Sequence, residues 1–481
     1  MTSAGIDYEP VIGLEIHVQL RTTTKMFCGC ELSFGDPPNV HTCPVCLGLP
    51  GALPVVNARA VHFATMIGLA LGCEIAPRSL FHRKNYFYPD SPKGYQISQY
   101  DVPICSGGRL GDVRIHRVHL EEDAAKLVHV GTSGRIHGAD RSVVDFNRCG
   151  TPLVEIVTEP DIRSPAQAHE WLALLRVTLR QLGVSDVNME EGSLRCDANV
   201  SVRPVGSSQL GTKTELKNMN SFRFLERGVA AEIARQTELL RGGREVVQET
   251  LHFDPASGTL TSLRSKEEAH DYRYFPEPDL VPLLVSGEML AAARAEVPEL
   301  PAARAARYER ELGLHPDRAR DLAFRADRAA YFERALASAP DGLGAVELAN
   351  WIPQLVERIG SDADPSESRV SPEALAALAA MVVSRQASRD AAREVLRTLV
   401  AEGGDPRAVV EREGLGALSD DGGLADLVAR AIAADPDAAD KVAAGNMKAI
   451  GPLVGFVMRE TKGRADGGEV TRLIREQLAV R

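Results

Sequence analysis

Between residues 11 and 20 the chain reads Val-Ile-Gly-Leu-Glu-Ile-His-Val-Gln-Leu, and from Leu14 onward apolar and polar side chains alternate. A period of two predicts a strand with Leu14, Ile16, Val18 and Leu20 in a core and Glu15, His17 and Gln19 on the other face. The alternation returns at 113–120, which runs into Glu121-Glu122-Asp123. It returns again at 194–203, where Leu194, Cys196, Ala198, Val200 and Val202 share one face and Arg195, Asp197, Asn199, Ser201 and Arg203 the other. A compact apolar run at 153–157 predicts a further strand. Helical spacing takes over at 166–183, through Trp171, Leu172, Leu174, Leu175, Leu179 and Leu182 to a stop at Gly183, and again at 222–240. Strands interspersed with helices, but few βαβ spacings, predict an α+β fold with mixed or antiparallel sheets.

Near Pro298 the pattern changes. From there on, Ala, Leu, Arg and Glu recur at helical spacing, and neither a convincing strand nor a cysteine occurs. Gly403-Gly404-Asp405-Pro406 predicts a break. The expected organisation of the 481 residues is therefore a mixed domain at 1–297, an all-α domain at 298–405 and a small helical module at 406–481.

Charge and composition narrow the classes. A net charge of −11 argues against a protein coated for non-specific nucleic-acid binding. The stretch 441–481 departs from that balance, with eight Lys or Arg against four acids. It reads as a nucleic-acid contact or as a solvated helix pair. The first ten residues lack a basic and apolar leader pattern, and the run 58–73 is broken by Arg59 and His62 and is too short to span a bilayer. These features predict a cytoplasmic protein without membrane attachment.

All eight cysteines fall between Cys28 and Cys196. Cys28 and Cys30, then Cys43 and Cys46, form two close pairs separated by a loop-like segment. That spacing suits tetrahedral zinc, and four thiolates leave no open position for catalysis. Cys149 and Cys196 stand alone and read as buried thiols. Glu15 and His17, neighbours on one strand face, are candidates for metal ligands or an acid/base pair, with a solvated strand face as the plain alternative. Glu121, Glu122 and Asp123 at a strand end are either solvated or compensated by a cation. Lys84 and Lys93 flank the aromatic run Tyr86-Phe87-Tyr88, an arrangement that suits phosphate recognition or simple packing. No P-loop and no G-x-S-x-G elbow occurs.

Several runs taken together resemble one family, the B subunits of the tRNA-dependent Asp/Glu amidotransferases. They are 11–20, Arg-Lys-Asn-Tyr-Phe-Tyr-Pro-Asp at 83–90, His-Leu-Glu-Glu-Asp-Ala at 119–124 and Asn-Arg-Cys-Gly-Thr-Pro-Leu-Val-Glu-Ile at 147–156. They continue with Met-Glu-Glu-Gly-Ser-Leu-Arg-Cys-Asp-Ala-Asn at 189–199, Glu-Leu-Lys-Asn-Met-Asn-Ser at 215–221, Asp-Tyr-Arg-Tyr-Phe-Pro-Glu-Pro-Asp at 271–279 and the tail at 447–458.

The resemblance implies a glutamine-synthetase-like catalytic cradle, then the helical domain and a tRNA-binding tail. It implies a carbon–nitrogen ligase with glutamine as amido donor. Glu-tRNA(Gln) or Asp-tRNA(Asn) would be phosphorylated on the side-chain carboxylate with ATP and Mg2+, and ammonia would then displace the phosphate. An amidase A subunit would supply the ammonia and a small C subunit would complete a heterotrimer, with a non-discriminating aminoacyl-tRNA synthetase as a further partner. Carried over, the magnesium ligands fall on Glu15, His17 and Glu122, although a histidine in the shell also suits Mn2+. Lys84 and Lys93 would meet ATP phosphates or the acidic substrate, and Cys28, Cys30, Cys43 and Cys46 would hold structural zinc. Lys448, Arg459, Lys462 and Arg464 would contact tRNA. The competing expectation is a tRNA-binding scaffold for an amidase that catalyses nothing itself.

Overall fold

The computed structural model describes residues 6–131, 139–217, 219–255, 257–265, 272–361, 363–416, 421–461, 464–465 and 467–478. Two compact units divide the chain, Met1–Leu300 and Pro301–Arg481.

The first unit is built on a ten-stranded sheet. At its centre are β1 (Tyr8–Gln19), β2 (Val113–Glu122), β3 (Pro152–Thr158), β4 (Leu194–Pro204) and β5 (Thr214–Lys217), in the spatial order β5-β4-β1-β3-β2. These neighbours pair antiparallel, whereas β5 pairs parallel with Glu249–Asp254. The sheet is thus mixed, and the α+β expectation holds.

The strands form where the period of two placed them. Ile12, Leu14, Ile16 and Val18 of β1 are fully buried, and so are Val118 and Leu120 of β2 and Cys196, Ala198 and Val200 of β4. They pack with α1 (Ala58–Ala70), α2 (Pro165–Leu182) and α3 (Phe222–Arg241) into one core. Helix α2 begins at an N-cap where Ser164 accepts from the Gln167 N–H, and it ends on Gly183 at φ 69°. A side chain at a left-handed position crowds the following carbonyl, so glycine is favoured there. Helix α3 starts on Ser221 in the same way.

The opposite face of the sheet carries the polar members of each strand. A three-stranded sheet of His82–Asn85, Tyr95–Ser98 and Phe275–Pro276 packs at its β2 side. Arg83 grips Glu277 with two bonds of 2.8 Å and Asp279 with one of 3.0 Å. That pairing explains why the chain carries arginine at 83 and acids at 277 and 279.

The second unit is helical throughout its described residues. A core from Ala305 to Val410 gathers the helices from Pro301–Leu312 to Pro406–Glu413. Val409 and Val410 lie within it, so Gly403 at φ 76° turns the chain without ending that core. A separate small core holds Asp421–Ala434, Pro436–Ala443, Gly451–Glu460 and Gly467–Gln477. No helix among the described residues is long and apolar enough to cross a membrane.

Candidate active site and metal centre

The register of the sheet sets the site. His17 of β1 stands opposite Arg195 of β4 on one side and Glu155 of β3 on the other, and Glu155 stands opposite His119 of β2. One position along, Gln19, Leu153 and Glu121 form the next row. Side chains of one parity point to one face, so Arg195, His17, Glu155, His119 and Glu121 converge on the polar side.

The strands bearing His17 and Glu121 are not adjacent, because β3 lies between them and contributes Glu155. His17 Nε2 lies 3.5 Å from Glu155 and 3.6 Å from Glu121. His119 Nε2 lies 3.3 Å from Glu155 and 3.8 Å from Glu121. Burial opposes a charged His17, but its hydrogen bond to Glu155 and the two carboxylate charges outweigh burial and Arg195, raising its pKa to about 9. Burial likewise opposes an ionised Glu155, yet the imidazoles of His119 and His17 hold it well below the usual carboxylate range. Both shifts say that this cluster calls for positive charge at its centre.

One ligand atom from each of His17, Glu121 and Glu155 lies within 4.8 Å of the others. An imidazole and two carboxylates on rigid strands fit a divalent cation of the Mg2+ or Mn2+ kind. His119 Nδ1 and Arg195 Nε are buried without a hydrogen-bond partner, as are Asn199 Oδ1 and Asp90 Oδ1, so the surrounding wall has polar capacity to spare.

The expected trio of Glu15, His17 and Glu122 is not the group that converges. Glu15 sits in the row of Asp197 and Val157 and accepts from Asn199 Nδ2 at 2.7 Å. Glu122 has the parity of Leu120, yet at the strand end it too lines the cavity described below, beside Lys93. There it binds the Lys93 ammonium and accepts from the Ile97 N–H at 3.0 Å. Parity would have favoured Glu121, which follows His119 by two. The signal for Glu155 was a lone carboxylate in an apolar strand, which needs a partner when buried.

A cavity of about 360 Å³ opens over this cluster, lined among others by His17, Lys84, Lys93, Glu121, Arg195 and Lys217. Arg195 reaches Asp123 at 3.2 Å, and Lys217 reaches Asp197 at 3.1 Å and Glu215 at 3.3 Å. The Lys84 ammonium lies 4.8 Å from the centre of the Tyr272 ring. Lys84 and Lys93 therefore come to one cavity. Four cationic side chains and a carboxylate cluster in one cleft suit a metal-bound polyanion.

The four cysteines assemble as their spacing suggests. The sulfurs of Cys28, Cys30, Cys43 and Cys46 lie within 4.8 Å of one another. Tetrahedral zinc, with bonds of about 2.3 Å, sets its sulfurs about 3.8 Å apart, so the set fits. The hydrogen bond from Cys28 lowers the Cys46 thiol to about 4 against its burial, aided by the Cys43 N–H and the Lys25 ammonium. Burial pushes Cys30 up to about 11, with Cys43 adding to it. Cys149 and Cys196 are buried, and both also line the cavity.

In the small helical core, Lys448 and Arg459 are exposed, and Arg464 Nε donates to the Thr461 carbonyl at 3.1 Å. Lys462 lies outside the described residues.

Comparison with known proteins decides the family. Residues 10–291 match the model of the GatB/GatE catalytic domain, and residues 330–478 match that of the GatB domain. The chain belongs to the GatB/GatE family. It is 49% identical to the B subunit of the aspartyl/glutamyl-tRNA(Asn/Gln) amidotransferase from an Anaeromyxobacter species, across 98% of this chain and 99% of that protein. It is also 49% identical to the corresponding B subunit from Geobacter sulfurreducens, across 98% and 100% of the two chains. The one from Frankia casuarinae is 50% identical, across 98% and 96%. In this family's catalytic domain, as matched here, fall β1 from Pro10 onward, β2 to β5 and every residue of the cavity described above.

Proposed function

We propose that this chain is the activating subunit of a tRNA-dependent amidotransferase, a carbon–nitrogen ligase that converts Glu-tRNA(Gln) or Asp-tRNA(Asn) to the amide form at the cavity over β1 to β4. The observation that carries this reading is the convergence of His17, Glu121 and Glu155 beneath Lys84, Lys93, Arg195 and Lys217. A carboxylate resists attack by ammonia, whereas an acyl phosphate has a good leaving group. The side-chain carboxylate would attack the terminal phosphorus of ATP, releasing ADP. Ammonia would then attack the acyl carbon and expel phosphate.

His17, Glu121 and Glu155 are the residues suited to hold magnesium, whose chemistry when bound is to neutralise phosphate charge. Lys84 and Lys93 bring fixed positive charge to the phosphoryl oxygens, where charge spreads during transfer. Arg195 is held by Asp123, and Lys217 by Asp197, so neither pays to find its place during reaction. The cysteine loop would hold zinc without reacting. An amidase A subunit is the expected ammonia source, in keeping with the B-subunit name of the relatives. The remaining partners would be a small C subunit, tRNA through the tail bearing Lys448, Arg459 and Arg464, and the synthetase that mischarges it.

The test follows the oxygen. Glutamyl-tRNA labelled with heavy oxygen in its side-chain carboxylate is given to the assembled complex with ATP, magnesium and ammonium chloride. Label in the released phosphate is expected. Amide formation with unlabelled phosphate would rule out carboxylate phosphorylation.

A further inference from the structure

The four-cysteine loop and the cavity share a wall. Gly48, two residues past Cys46, sits at φ +67°, and a Cβ placed on it would lie 2.6 Å from Lys93 Cγ and 3.0 Å from Lys93 Cα. At the other end of the loop, Phe27 immediately precedes Cys28, and the centre of its ring lies 5.9 Å from Lys93 Nζ. Cys149, on the cavity wall, donates from its thiol to the Cys46 carbonyl at 3.5 Å. Lys25, almost fully buried, donates to the carbonyls of His41 at 2.8 Å and Phe146 at 3.0 Å, and lies 3.7 Å from Cys46 Sγ. The loop is therefore fastened to the turn that carries Cys149 and pressed from both its ends against Lys93.

Lysine is a compact charge on a flexible four-carbon stem. Its ammonium serves a reaction only when that stem is confined, because a group free to rotate loses the advantage of prior orientation. Here the stem lies flat on Gly48 while Nζ binds Glu122. A methyl group at residue 48 could not be absorbed by rotating the lysine, since one of the two closest atoms is its Cα.

We propose that Gly48 is a positioning residue for Lys93, so that the turn closing the four-cysteine loop fixes an ammonium in the cavity and ties the order of that loop to turnover. The inference rests on the reading of Lys93 as part of the phosphoryl-transfer site. Gly51 supplies a control within the same segment. It has φ +83°, and a Cβ added there would meet nothing within 4 Å, so Gly51→Ala brings the same backbone strain without touching Lys93.

The experiment uses the assembled complex and two readouts. The first is the rate at which an amine-acylating reagent modifies Lys93, by peptide mass spectrometry, relative to exposed Lys448. The second is kcat and KM for amidation with ammonium chloride. Gly48→Ala should raise Lys93 acylation several-fold and lower kcat about tenfold or more, with less change in KM. Gly51→Ala should leave both at the wild-type level. Phe27→Leu, which removes the contact from the other side, should also raise acylation, and it decides the matter if Gly48→Ala does not fold. Unchanged Lys93 acylation in the variant that folds, or an equal rise in Gly51→Ala, would overturn the proposal. A rise in acylation with unchanged kcat would leave Gly48 as the positioning residue and remove Lys93 from the chemistry.

Discussion

His17 Nε2 lies 3.5 Å from a carboxylate oxygen of Glu155, its register partner on the adjacent strand. Two carboxylates and two imidazoles buried together are tolerable only if positive charge balances them. Without an ion, that charge is a proton on imidazole, which is why the pKa of His17 rises to about 9. A divalent cation held by His17, Glu121 and Glu155 would take the proton's place.

The first prediction separates the ligand sets. Glu155→Gln and Glu121→Gln should each reduce ATP-dependent amidation about a hundredfold in assembled complex. Glu15→Gln, which lies in the next row and already bonds Asn199, should cost clearly less. Initial rates at saturating magnesium test this, and a larger loss for Glu15→Gln would return that residue to the metal.

The cavity lysines carry a second prediction. Lys84→Met removes charge near phosphate and should lower kcat/KM for ATP about a hundredfold, whereas Lys84→Arg should retain part of it. Equal losses in both would mean that shape, not charge, is what Lys84 supplies.

Metal analysis provides the third. Purified chain should contain one zinc per molecule, and the double substitution Cys28→Ser with Cys46→Ser should lose it and lower the melting temperature. A zinc content unaffected by the double substitution would place the metal elsewhere.

A fourth concerns the fold alone. Gly183 caps α2 at φ 69° with nothing within 4 Å of an added Cβ, so Gly183→Ala meets backbone strain without a clash. Its cost should be about 1 kcal/mol, read from the denaturation midpoint. A neutral result would show that the helix end relaxes.

Much of this was legible in the chain. Alternation marked β1, β2 and β4, with one slip in β2 at His116-Arg117, and Gly183 marked the end of α2, because period and capping are local properties. Neighbourhood is not local. Nothing in the alternation of β1 or β2 says that β3 separates them, and Glu155, the lone carboxylate in the apolar run Leu153-Val154-Glu155-Ile156-Val157, says that a partner is needed but not which one. Glu121 and Glu122 are adjacent, and the alternation of β2 slips between Ile115 and Arg117, where its pairing with β3 shifts register, so parity carried from the start of the strand points to the wrong one of the two. The link between Gly48 and Lys93 spans forty-five positions and is visible only in the folded chain.

The most direct measurement compares wild type with His17→Ala in the assembled complex, given ATP, magnesium, mischarged tRNA and ammonium chloride, following ADP and amidated tRNA together. The wild type should form both in equal amounts, and His17→Ala should form neither while still binding tRNA and its partner subunits. Equal amidation by the two proteins would contradict a phosphoryl-transfer site built on His17, Glu121 and Glu155.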